Sequence, residues 1–208
     1  MKKLSLVTIA LTFLFGCAAN NKFITDYPPE DTRDQFTKIY ECMRFGEDGI
    51  IPRLFIARIK GINAWIDNDN RVYLTPGLYN YDDDTLKFIM AHELSHAKLK
   101  HIRNRQAVSY ATTGAMMVAG FIVPGAGWLN HAVNPAVTNN FSKFQEYDAD
   151  RLASKTLVKC FDISVEKQIH ILESLKKDTT DAGGFWDRHP SWSDRIENIR
   201  GMQNLNKE

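Results

Sequence analysis

Five consecutive residues carry the strongest chemical signal in this chain: His92-Glu93-Leu94-Ser95-His96. On a helix, side chains four positions apart lie on one face, so both imidazoles can reach a single metal ion. Glu93 stands beside the first of them, where its carboxylate can take a proton from an attacking water. Zinc suits such a set because it accepts histidine nitrogen and carboxylate oxygen in a four-coordinate site with one position left for water or substrate. The plainer reading is a helix with two ordinary core or surface histidines. A third ligand is needed. His101 is nearest in sequence, but five positions past His96 on one continuous helix it points away, and it reads as a surface histidine. Glu146, within Gln145-Glu146-Tyr147-Asp148-Ala149-Asp150, is the better candidate. Glu146 and Asp150 share a helix face. Glu146 could complete a His-His-Glu set, and Asp150 could accept the N–H of a ligand histidine. Taken alone, acids on a helix are usually just solvated; beside the first motif they gain meaning.

These residues need elements to position them. Asp82-Asp83-Asp84 supplies an N-cap and first-turn acids for a helix over 85–105, with Leu86, Ile89, Met90, Leu94, Ala97 and Ile102 on its buried face. A second helix is expected over 142–160, a third over 164–177, and a short one ending near Arg200 after a loop over 178–191. Upstream, Phe36, Ile39, Tyr40 and Met43 recur at helical spacing within 31–45. Residues 53–66 read as one strand, Asp67-Asn68-Asp69-Asn70 as a turn, and 71–75 as the returning strand of a hairpin. The expected fold is α+β: mostly helical, with a small antiparallel sheet beside the catalytic helix. The 107–142 stretch carries no Asp, Glu, Lys or Arg. A membrane span fits its length, but Gly114, Gly120, Pro124, Gly125 and Gly127 interrupt it, favouring an apolar segment packed over the site.

The N-terminus reads as export machinery. Lys2 and Lys3 precede an apolar run from Leu4 to Phe15 that is too short to span a bilayer. Leu14-Phe15-Gly16-Cys17 resembles a bacterial lipobox, in which Cys17 is lipidated and becomes the first mature residue. The layout is then a signal peptide over 1–16, a lipidated tether over 17–30, and a peptidase domain over 31–208. Ala18, where an Asp would signal retention, implies by resemblance the periplasmic face of the outer membrane. Cys42 and Cys160 remain, an even pair that an oxidising periplasm invites to bridge; two buried thiols is the alternative. With 26 basic and 25 acidic side chains in 208 residues and no basic stripe, nucleic acid is not an expected partner.

His-Glu-x-x-His followed by Glu-x-x-Ala-Asp resembles the gluzincin peptidases related to the CAAX prenyl protease, HtpX, BepA and the mitochondrial protease Oma, and in size the chain is most similar to their small periplasmic lipoprotein members. Asp148 stands where that family usually has Glu. Ile62-Asn63-Ala64-Trp65 and the stretch 72–78 look like the family's hairpin ahead of the catalytic helix, and His189-Pro190 with Arg195 like its C-terminal element. The resemblance implies one zinc ion per chain, hydrolysis of peptide bonds in unfolded or misassembled envelope proteins, and a membrane attachment through the N-terminal lipid. It implies that Asn63 and Ala64 line an edge that takes substrate as an added strand. It implies that His189 faces the metal, either stabilising the oxyanion or holding the site latent, and that Arg195 holds its loop. The competing functions are a non-catalytic, zinc-stabilised chaperone or outer-membrane assembly factor, against which a retained Glu93 argues, and a membrane-embedded peptidase using the uncharged stretch.

Overall fold

The computed structural model describes residues 25–122, 142–179 and 192–205. Cys17, His189 and residues 123–141 of the uncharged stretch lie outside them. Among the described residues six α-helices and four strands make an α+β fold that is mostly helical. The strands are β1 (Thr25–Asp26), β2 (Arg53–Ala57), β3 (Ala64–Ile66) and β4 (Arg71–Leu74). The helices are α1 (Glu30–Cys42), α2 (Asp83–Lys98), α3 (His101–Ile122), α4 (Lys143–Phe161), α5 (Val165–Thr179) and α6 (Trp192–Leu205).

The sheet is mixed, not antiparallel throughout. Its order is β1-β2-β4-β3, with β2 and β4 parallel and the two outer pairs antiparallel. The reason is a break in what reads as one strand over 53–66. Arg58, Ile59 and Lys60 are exposed, and Gly61 takes φ +99°, a left-handed value that suits glycine. The chain leaves β2 there, forms β3, and returns as β4 between the two. Thr75, fully buried, fastens this loop: its Oγ1 donates to the Gly61 carbonyl (2.8 Å) and accepts from the Asn63 N–H (2.8 Å). Gly77 then passes so close that an added Cβ would sit 2.4 Å from the Gly61 carbonyl oxygen. The fold also starts earlier than the expected domain start at 31. Thr25 and Asp26 pair with Ala57 and Ile56, and Arg58 binds Asp26 through both carboxylate oxygens.

Alternation along the strands divides the sheet's faces. Leu54, Ile56, Ala64, Ile66, Val72 and Leu74 point into a core shared with Phe36 and Ile39 of α1 and with Leu86, Ile89, Met90 and Leu94 of α2. On the other face Phe55, Tyr73 and Trp65 stack in a row, with centroids 5.7 and 5.0 Å apart. Cys42, at the end of α1, and Cys160, near the end of α4, form a disulfide with Cα atoms 6.5 Å apart. Among the described residues no helix is long and apolar enough to cross a membrane.

Candidate metal centre

α2 is enclosed on all sides: every residue from Phe88 to Ala97 is buried. Asp82 caps it, accepting from the Thr85 N–H at 2.8 Å. α4, its principal packing partner, starts with a capping box in which Ser142 and Gln145 satisfy each other's backbone N–H groups. Burial of α2 brings His92 and His96, four residues apart, against Glu146 of α4. Their ligand atoms converge within 4.8 Å of one another, all three residues buried. The His92 and His96 Nε2 atoms are 3.1 Å apart. Glu146 offers one oxygen to each, at 3.5 Å from His92 and 3.4 Å from His96. Two atoms bonded to a tetrahedral zinc at its usual N and O distances lie about 3.3–3.4 Å apart. The separations between ligand groups are therefore those found around one such ion, with a different Glu146 oxygen nearest each ring.

Charge points the same way. Among the described residues, Glu93, Glu146 and Asp150 are buried together with one guanidinium, that of Arg195. With the acids ionised, three carboxylates outnumber the guanidinium, an excess that a proton on His92 or a divalent ion would offset. The donor set, its spacing and its charge all fit zinc.

A line of hydrogen bonds orients His92. Its Nδ1 lies 2.9 Å from Asp150 Oδ1. A carboxylate can only accept, so Nδ1 carries a proton, and Nε2, turned toward Glu146 and His96, is the position open to a second proton or a metal ion. Asp150 is in turn held by Arg195, whose Nε and a terminal nitrogen donate at 2.8 and 2.7 Å. Arg195 also lies 3.3 Å from the His92 Nδ1; both groups are donors there, so the contact reflects their shared carboxylate rather than a bond. Burial would raise the Asp150 pKa, but the Arg195 charge and hydrogen bonds hold it below the ordinary carboxylate value. Burial and Arg195 press the His92 pKa down, yet Asp150 and Glu146 outweigh them and hold it at about 9. Those carboxylates favour any positive charge at Nε2, so proton and metal ion compete for the position.

His101 is not a surface histidine. The expected helix over 85–105 stops at Lys98, Lys100 adopts a left-handed φ of +58°, and a new helix starts at His101. The turn swings His101 back toward the site. It is buried, and its Nδ1 lies 3.0 Å from His96 Nδ1. Burial lowers its pKa. Neither Gly nor Pro marks the break.

The other expected site residues divide. Glu93 is fully buried beside the ligands on α2. Arg195 is buried too, bound to Asp150. Ala64 lies in β3, an edge strand. Asn63 does not offer its main chain to that edge: its carbonyl accepts from the Thr75 N–H (2.9 Å) and its N–H is taken by Thr75 Oγ1. Strand alternation then turns the N–H and C=O of Ala64 away from β4. His189 and Cys17 lie outside the described residues.

Comparison with known proteins agrees with this geometry. Residues 52–203 match the family model for peptidase family M48. A protease HtpX homolog of Helicobacter pylori is 26% identical over a stretch covering 72% of this chain and 60% of that relative, so the chain spans about 60% of its length. The matched residues take in α2, α4 and α6, which carry the converging histidines, acids and Arg195. The chain belongs to peptidase family M48.

Proposed function

We propose that this protein is a zinc-dependent endopeptidase of the bacterial cell envelope, acting on unfolded or misassembled envelope proteins. The observation that carries the reading is the buried triangle of His92, His96 and Glu146, with the Glu93 carboxylate next to it on α2. The Nε2 atoms of His92 and His96 and the Glu146 carboxylate would hold one zinc ion. Bound there, zinc supplies Lewis acidity, which polarises a scissile carbonyl and eases loss of a proton from water. Glu93 takes that proton on its carboxylate and passes it to the leaving amine. Asp150, fixed by Arg195, keeps His92 in the tautomer and orientation that ligation requires.

An extended substrate backbone has an edge to pair with. The N–H and C=O of Ala64 turn away from β4 and could pair with a peptide lying as a further strand beside β3, which favours chains without stable structure of their own; Ala64 is buried, so what covers it must first give way. The envelope location rests on the sequence alone, on Lys2, Lys3, the apolar run and Cys17. Cleavage before Cys17 and lipidation of its thiol would attach the protein to the membrane, with a short tether up to β1.

The test is digestion of an unfolded protein such as casein by purified protein, with and without a chelator. Cleavage that the chelator stops and added zinc restores is the expected result. Chelator-resistant cleavage by homogeneous protein would overturn the metal's part. No cleavage of any unfolded protein by the zinc-loaded chain would overturn the peptidase reading.

A further inference from the structure

The two ligand histidines are supported differently. His92 donates its Nδ1 proton to a carboxylate. The Nδ1 of His96 faces another imidazole, that of His101, at 3.0 Å. The two rings meet nearly edge to face, with centroids 5.2 Å apart and planes at 66°. His96 turns its other nitrogen, Nε2, toward His92 and Glu146. A neutral imidazole that gives Nε2 to a metal carries its proton on Nδ1. Two ring nitrogens 3.0 Å apart need one donor and one acceptor, so His101 Nδ1 must present a lone pair and its own proton must sit on Nε2.

We infer that His101 is a positioning residue: its Nδ1 accepts the His96 Nδ1–H and so fixes the tautomer and ring angle of that ligand. The inference rests on the proposed zinc site and deepens it. His101 touches no substrate atom; it acts through His96. The arrangement gives one ligand an anionic acceptor and the other a neutral one. A second carboxylate in place of His101 would add a further negative charge to a buried cluster that already holds three acids.

The backbone is shaped for the contact. On an unbroken helix, five residues would carry His101 about 140° round from His96. Leu99 and Lys100 interrupt it. The Leu99 N–H still bonds Ser95, the Lys100 N–H bonds Ala97, and the Lys100 carbonyl accepts from Asn104 to begin α3. A lysine held at φ +58° is uncommon and disfavoured for a side chain with a Cβ. The turn places His101 at the first position of α3, facing the site.

The experiment compares zinc affinity, by competition with a chromophoric chelator, for wild type, His101→Leu and His101→Asn. Leu removes the acceptor while filling similar space. Asn places its Oδ1 near the position of the lost Nδ1. His101→Leu should bind zinc about 10–100-fold more weakly, and His101→Asn should recover most of that loss. Melting of the metal-free forms serves as control, because a purely structural role would lower stability in both without this split. Should His101→Leu not fold, ring-nitrogen NMR of zinc-loaded wild type decides independently: His96 protonated on Nδ1 and His101 on Nε2 is expected. A proton on His101 Nδ1, a folded Leu variant that binds zinc within twofold of wild type, or an Asn variant as weak as Leu would each overturn the inference. Wild type that takes up no zinc would overturn the site reading beneath it as well, whereas zinc-loaded wild type with an unaffected Leu variant would overturn this inference alone.

Discussion

At the scale of residues, function depends on which nitrogen or oxygen faces which partner. Arg195 and Asp150 form a fully buried, two-point ion pair behind His92. Removing one member leaves the other charged and desolvated, which typically costs about 3–5 kcal/mol. Arg195→Met is therefore expected to lose that much stability in urea denaturation and to hold zinc more weakly; a variant as stable as wild type would show that the pair is not essential. Asp150→Asn keeps the shape but leaves Arg195 without its carboxylate, so it should lose stability as well and bind zinc about 10–100-fold more weakly in the same chelator competition. Helical spacing puts His92 with His96, and Glu146 with Asp150, on shared faces, but that the two pairs meet could be expected only by reading the second beside the first; the structure brings His92, His96 and Glu146 together. Arg195 was singled out only through family resemblance, and for the loop of His189, which lies outside the described residues; the structure shows it bound to Asp150 instead. His101 was misread because its position follows from a left-handed lysine that no nearby Gly or Pro announces.

At the scale of elements, helix positions followed from periodicity and caps, and they agree with the sequence to within a few residues for α1, α4 and α5. The sheet was harder. Parallel pairing of β2 with β4 depends on where the chain goes between them, and the exposed run Arg58-Ile59-Lys60 lies inside what looked like one strand. Gly77 is the pivot of that region. Gly77→Ala would drive a Cβ into the Gly61 carbonyl and should cost about 1–3 kcal/mol. Gly46→Ala, where nothing lies within 4 Å, should change stability far less. Equal melting temperatures for the two variants would contradict the close approach. The disulfide works between elements, tying the end of α1 to the end of α4 across 118 positions. Replacing both Cys42 and Cys160 by Ala should lower unfolding free energy by roughly 2–5 kcal/mol, most of it through a freer unfolded chain. Wild type treated with reductant should match the double variant; a mismatch would point to packing at the cysteines instead.

At the scale of the whole molecule, the proposed function sets an M48 peptidase fold at a membrane surface through a lipid on Cys17. Cys17→Ser is expected to abolish acylation and leave uncleaved or mislocalised precursor, and mass spectrometry of the mature N-terminus reads this directly. An unmodified residue other than Cys17 at that terminus would refute the lipid anchor. The central claim is that this buried centre holds zinc and uses Glu93 as its base, and one paired measurement on Glu93→Gln tests it most directly: zinc content per chain together with the rate of casein cleavage. The expected result is about one zinc per chain, as in wild type, with cleavage reduced by about two to four powers of ten. A zinc-loaded Glu93→Gln protein that cleaves at the wild-type rate would contradict it.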